Sequence, residues 1–350
     1  MKDFKILYLG KYDIYRINQE IRWIRESLKK LCHVDEYGVG YKILDTHPKL
    51  FKRGDCVHDL KKLYDEYKPD VILIHQRKKE IWFNRDQIPV PCASIMWDNH
   101  GFREERCAWL NNEKIDMTLF RSKGFDHVGK AGIKWWKDNL WNGHKIRWMP
   151  AACNLEVYKD YGYEREYDIC LIGRSHASTY PLRHLIYKHF RNPDILGLEE
   201  SFKANKKYKI MYHKRHKRSW GWDQIMKDKY GCVSGLEYGQ AIAKCKIMPT
   251  GCSLYGYAVN KYFEAPGCYT ALAANMPQEG PDLGFIPDEN FIHIAPKNFA
   301  EKIDYYLENE DERMKIAIRA RKLMETRHSV KIRAHELLQN LEELTSQNTQ

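Results

Sequence analysis

The sequence predicts an α/β protein built from two doubly wound, Rossmann-like sheets in tandem, and three observations lead there. Short apolar runs alternate with stretches of helical periodicity through both halves, the pattern of parallel strands joined by crossover helices. The alternation stops at Pro150 and the polar stretch 154–166, then restarts with a fresh strand at 167–172. The chain has 350 residues, more than the roughly 250 to 300 at which a single core stops growing.

In the first half, residues 6–9 form the opening strand, which ends at Gly10. Ile17, Ile21, Ile24, Leu28 and Leu31 then recur at steps of four and three, the apolar stripe of one helix. Strands are expected at 71–74, after the turn-forming Lys68-Pro69-Asp70, and at 92–97, 117–120 and 146–149, with helical stretches between them. The second half gives a strand at 167–172 closing on Gly173, a helix at 180–190, a strand at 208–212, a helix at 236–243 and a strand at 245–248. Strands at 270–274 and 291–294 follow, then helices at 299–307, 311–326 and 330–344 and a polar tail. The expected organisation is a first domain over 1–150, a second over 151–327 and a closing segment over 328–350. In such sheets ligands gather at the carboxyl ends of the strands.

Composition narrows the function. With 43% hydrophobic and 30% charged residues the chain lies in the globular range, which excludes wholesale disorder, collagen-like repeats and a bare coiled coil. No apolar run approaches the roughly 20 residues of a membrane helix, and Met1-Lys2-Asp3 leads into a strand without a signal-peptide pattern, so a cytoplasmic protein without a membrane span is expected. The ten cysteines are scattered without a Cys-x-x-Cys pair, which favours reduced structural thiols over a disulfide framework or a zinc site. Neither Gly-x-Gly-x-x-Gly nor Gly-x-x-x-x-Gly-Lys-Ser/Thr occurs, so a dinucleotide oxidoreductase and a P-loop phosphotransferase both lack their phosphate cradle. No Asp-x-Asp occurs either, and no metal is expected.

The stretch 251–272, GCSLYGYAVNKYFEAPGCYTAL, reads as strand end, glycine turn, short helix, glycine stop and strand. Gly256 allows a close turn, and a helix starting near Tyr257 to Asn260 would offer unpaired N–H groups to an anion such as a diphosphate. Lys261 adds a full positive charge. Glu264 shares a helical face with Asn260 and Lys261 and suits ribose or sugar hydroxyls. The same spacing equally fits a core helix with an ordinary Lys–Glu pair.

At these residues the chain resembles a known family. Asn260-Lys261-Tyr262-Phe263-Glu264-Ala265 with Gly267, then Asp282-Leu283-Gly284-Phe285 and 299–313, resemble the C-terminal domain of GT-B glycosyltransferases of the CgeB (spore maturation protein) type. Residues 167–173 with Arg183, and His328-Ser329 with Arg333-Ala334, are similar to that family too. The resemblance covers 145–340; the first domain is similar in layout alone, with Trp97-Asp98 at a strand end and Met149-Pro150-Ala151-Ala152 before the boundary. It implies two Rossmann-like domains facing each other across a cleft, a nucleotide-sugar donor held by the second, a metal-independent and retaining reaction, and a last helix crossing back to the first domain. By the same resemblance Glu264 would bind the donor ribose, Gly173 would leave room for the nucleotide, and Lys261 with the turn after Gly256 would hold the diphosphate; Arg174 or Arg183, with the helix start near Tyr257, are expected to add positive charge there. A UDP-sugar is the expected co-substrate. Two departures stand out: Gly256 occupies the position eight before Glu264 where related retaining enzymes often carry another Glu, and Pro266 shortens the helix.

Asp98 lies at the carboxyl end of an expected strand and suits a general base or an acceptor-positioning group, or else a helix cap; His100 is a weaker candidate for the same role. The net charge of +11 is uneven: 201–222 holds eight Lys or Arg and no acid. Lys214, Arg215, Lys217 and Arg218 with Trp220 and Trp222 combine phosphate-seeking charge with stacking faces, which suits a DNA acceptor such as a hydroxymethylated base. His213 and His216 read as part of this patch rather than as metal ligands. Open alternatives are a saccharide- or protein-directed transferase with an incidental basic loop, and a non-catalytic nucleic-acid-binding protein.

Overall fold

The computed structural model describes residues 3–10, 20–37, 56–75, 80–97, 102–123, 132–173, 175–190, 207–213 and 235–347. The chain divides into two compact units. Met1–Ile14, Arg22–Pro150 and Arg333–Gln350 make the first, and Tyr15–Ile21 with Ala151–Ile332 the second.

The first unit holds a parallel sheet of β1 (Lys5–Leu9), β2 (His33–Tyr37), β4 (Val71–His75), β6 (Cys92–Met96), β7 (Met117–Phe120) and β8 (Lys145–Trp148), in the order β2-β1-β4-β6-β7-β8. A separate parallel pair joins β3 (Cys56–Asp59) and β5 (Glu80–Phe83). The central strands β4, β6 and β7 are buried along their whole length, as expected of parallel strands covered on both faces. Helix α1 (Glu20–Leu28) buries Ile21, Ile24 and Leu28 of the predicted stripe. Helix α2 (Leu60–Tyr67) is capped by Asp59, whose carboxylate accepts from the Lys62 amide at 3.2 Å. It ends on a left-handed Lys68 just before Pro69. Helices α3 (Arg103–Asn112) and α4 (Ile133–Asn139) contribute Leu110 and Trp136 to the core with Leu7, Leu9, Ile72, Ile74 and Phe120.

The second unit repeats the plan with β9 (Tyr167–Ile172), β10 (Ile210–His213), β11 (Cys245–Pro249), β12 (Ala271–Ala274) and β13 (Ile292–His293), parallel in the order β10-β9-β11-β12-β13. Its described helices are α5 (Pro181–Phe190), α6 (Gly235–Ala243), α7 (Lys261–Gly267), α8 (Gly280–Leu283), α9 (Phe299–Glu308), α10 (Glu310–Arg327) and the start of α11 (Val330–Gln347). From Arg333 onward α11 belongs to the first unit, where Glu343 lies 3.7 Å from Arg147. The core joins Ile169, Leu171 and Ile247 of the strands to Leu182, Ile186, Phe190, Ile303 and Ile316 of the helices.

In each sheet the chain runs from its first strand to one neighbour and later returns to the opposite side. The order therefore reverses between β1 and β4 in the first unit and between β9 and β11 in the second. At such a switch point the crossover connections diverge and leave a crevice beyond the strand ends.

Arg165 fastens the opposite, amino edge of the second sheet. Its guanidinium donates to the carbonyls of Ala243, Cys245, Cys268 and Tyr269 and to the Thr270 hydroxyl. No neutral side chain of similar length satisfies so many acceptors. Arg165→Met is therefore expected to cost about 2–4 kcal/mol by leaving buried carbonyls unpaired. Urea unfolding of the full chain measures it; a loss below about 1 kcal/mol contradicts the assignment.

Candidate active site

The carboxyl ends of β9 and β11 are Gly173 and Thr250-Gly251. Gly173 has φ +106°, a conformation that L side chains rarely adopt. A Cβ built on it would fall 2.9 Å from Lys261 Nζ, so the bare glycine lets the ammonium settle against the strand end.

Lys261 opens α7, and its Nζ donates to Tyr238 Oη of α6 at 3.3 Å. That phenol donates to Glu264 Oε2 at 3.0 Å, and Tyr158 Oη donates to Glu264 Oε1 at 3.4 Å. The two rings meet edge to face, with centroids 6.2 Å apart and planes at 83°. Burial, first, and the Glu264 charge, second, hold both phenols well above the ordinary tyrosine pKa, so each stays a neutral donor. Lys261 and Glu264 are thus bridged, with a tyrosine hydroxyl between cation and carboxylate.

Two glycines permit this approach. A Cβ on Gly239 of α6 would collide with the Val157 carbonyl oxygen, and one on Gly267 would lie 2.6 Å from both Cys153 Sγ and Tyr158 Cβ. Arg321 of α10 then ties the segment to α7 by donating to the carbonyls of Tyr158 and Gly267.

The other predicted residues take different places. Arg183 is 3% exposed, and its guanidinium donates to Thr250 Oγ1 at 2.9 Å and to the Gly251 carbonyl at 3.3 Å while lying over the Tyr180 ring. It braces the end of β11. Gly256 has φ +76° and sits in a turn whose carbonyl accepts from the Gln278 amide at 2.8 Å. Tyr257 is half-buried beside Tyr255, with ring planes only 3° apart.

The helix expected from Tyr257 to Asn260 starts at Lys261, with Asn260 as its cap residue. The Ala258 amide donates to buried Glu279 at 3.1 Å, and the Tyr262 amide donates to the Val259 carbonyl at 2.9 Å. These two amides are already committed, and Lys261 supplies a full positive charge at this end. The Asn260 side-chain amide donates to Glu20 at 3.5 Å, and Glu20 also accepts from the Ala152 amide. Tyr158, Tyr238, Glu279 and Glu20 carried no signal in the sequence, because each meets the site through chain distant from it.

Asp98, His100, Arg174, Lys214, Arg215, Lys217, Arg218, Trp220 and Trp222 lie outside the described residues. Among the described residues no group of three or more His, Cys, Asp or Glu is arranged to hold a metal ion, and the eight cysteines whose side chains are described are free thiols. No described helix is long and apolar enough to cross a membrane.

A family model described as glycosyl transferase-like matches residues 197–339. No curated protein sequence matches the chain. Among solved structures, sucrose-phosphate synthase from Thermosynechococcus elongatus is similar with a TM-score of 0.60 at 14% identity, covering 98% of this chain and 99% of that one. HepE from Anabaena in complex with UDP-glucose has a TM-score of 0.61 at 12% identity, covering 97% and 99%. An alpha-glucosyltransferase in complex with UDP-glucose and DNA containing an abasic site has a TM-score of 0.59 at 10% identity, also covering 97% and 99%. The fold is that of GT-B glycosyltransferases, and the family-model match falls mostly within the second unit.

Two outcomes follow from the geometry. Gly173→Ala is expected to cost about 1–3 kcal/mol through the left-handed backbone and the crowded ammonium, read from urea midpoints. The phenols of Tyr158 and Tyr238 keep their protons in the folded chain and release them near the ordinary value of about 10 when unfolded. Because the unfolded state then binds fewer protons, stability is full below that pH and falls as pH rises above it. Phenol absorbance followed through alkaline unfolding should show these two groups ionising with the unfolding step rather than before it.

Proposed function

We propose that this chain transfers a sugar from a UDP-sugar to an acceptor hydroxyl, with the donor held by the second unit at the carboxyl ends of β9 and β11. The observation that carries this reading is the meeting of Gly173, Lys261 and Glu264 at the switch point of the second sheet. The Cβ-free strand end seats the ammonium that faces the diphosphate, and a carboxylate held by two phenols accepts from ribose or sugar hydroxyls. The UDP-glucose complex of a structural relative and the CgeB-type resemblance over 145–340 support the same donor class.

In the transfer the bond from the anomeric carbon to the diphosphate oxygen breaks, and the acceptor oxygen bonds to that carbon. Lys261 stabilises the charge that develops on the departing diphosphate. We propose that this side chain serves where other transferases use a divalent ion held by an Asp-x-Asp, a motif the sequence lacks. The acceptor proton passes to the leaving phosphate oxygen on the same face, which retains configuration; Asp98 and His100 are the candidates for a base if the outcome is inversion.

For the acceptor, two observations favour a hydroxyl on a modified DNA base: the acid-free run 201–222, and the DNA present with UDP-glucose in one relative of the same fold. Aromatic walls such as Trp220 and Trp222 suit a base taken out of its stack.

Thermal stability in the presence of UDP tests the donor. At 100 times its dissociation constant UDP should add about 2.7 kcal/mol, and no shift with UDP, GDP or ADP sinks the reading. Turnover of UDP-glucose on hydroxymethylated duplex DNA should fall at least about 100-fold in Glu264→Ala. DNA affinity should drop steeply across a salt series; a flat response argues for a saccharide or protein acceptor.

A further inference from the structure

We propose that Tyr238 is a positioning residue that couples the diphosphate-holding ammonium of Lys261 to the hydroxyl-reading carboxylate of Glu264, an inference that rests on the donor reading above. The chain of bonds has one direction. An ammonium donates only, a carboxylate accepts only, and the single phenol proton of Tyr238 must therefore point at Glu264 while its oxygen accepts from Lys261. The distances, 3.3 Å and 3.0 Å, fall at the long end of hydrogen bonding, in series.

Its surroundings keep Tyr238 from doing anything else. The residue is 8% exposed, its neighbour Gly239 packs directly on the Val157 carbonyl, and the Tyr158 ring meets it edge-on. Serial bonds polarise one another, so a change in what Lys261 faces is felt at Glu264. The consequence is non-additive recognition: the grip on the diphosphate and the grip on the hydroxyls belong to one unit. Tyr158 offers a contrast, since it donates to the same carboxylate at 3.4 Å with no hydrogen bond to Lys261 among those described.

The test is UDP binding measured by calorimetry on the full chain and on Tyr238→Phe, Lys261→Met, Glu264→Gln and their double variants. Tyr238→Phe keeps the ring and should weaken UDP binding about 5–20-fold. In the double variant with Glu264→Gln, the loss should be at least about 3-fold smaller than the product of the single losses. Tyr158→Phe should leave the cost of Lys261→Met unchanged, whereas Tyr238→Phe should shrink it. A residue with only a packing role would give losses that multiply, and that result overturns the proposal. So does UDP binding to Tyr238→Phe as tight as to the parent. Should Tyr238→Phe fail to fold, the Lys261→Met and Glu264→Gln cycle in the intact chain reads the same coupling, with multiplying losses again counting against it. A parent chain that binds no UDP overturns the donor reading itself, and is told apart from the other failures because the variants are then irrelevant.

Discussion

The close approach of the Val157-Tyr158 backbone to α6 and α7 is the constraint on which the site depends. It is possible because Gly239 and Gly267 carry no Cβ: on the first, a methyl would strike a backbone oxygen that cannot rotate away, and on the second it would strike Cys153 and Tyr158 together. Arg321 closes the contact by bonding carbonyls on both sides of it. Two phenols then converge on one carboxylate, and the Glu264 side chain gains a fixed orientation from residues 26 and 106 positions away. Packing at two glycines thereby sets the geometry of a polar group.

The same arrangement answers an electrostatic difficulty. A carboxylate one helical turn from the lysine proposed to hold a diphosphate would draw the ammonium toward itself and repel the ligand. Placing a neutral hydroxyl between them lets both charges be satisfied without direct contact. Burial supports this, because it keeps the phenols protonated and so prevents two further negative charges from forming beside Glu264. The site therefore presents its cation on one side and its acceptor oxygens on another, joined by groups whose proton positions are dictated.

What the sequence revealed divides along physical lines. The buried central strands were legible because parallel strands covered on both faces read as unbroken apolar runs. Strand β2 was not, since His33-Val34-Asp35-Glu36-Tyr37 lies at the edge of its sheet and is mostly polar. Gly173, Lys261 and Glu264 could be singled out by local rules: a glycine at a strand end and a spacing of three on a helix. The start of α7 falls at the late end of the expected window, Tyr257 to Asn260, because Ala258 spends its amide on Glu279, a partner that only the folded chain supplies. Tyr158 and Tyr238 stand in no motif, and nothing but the tertiary approach at the two glycines brings them to the carboxylate.

The basic run shows why charge counted along a chain differs from charge presented in space. Residues 201–222 contain no acid, yet Lys207 bonds Asp304 of α9 at 2.7 Å and Lys209 lies over the Tyr167 ring. Asp304 also accepts from Tyr208, so Lys207 and Tyr208 are drawn onto α9 by an acid almost a hundred residues later. A polyanion senses the summed field rather than the local count. The electrostatic case for the proposed nucleic-acid acceptor therefore rests on Lys214, Arg215, Lys217 and Arg218 with their flanking tryptophans, while Lys207 and Lys209 are engaged within the second unit.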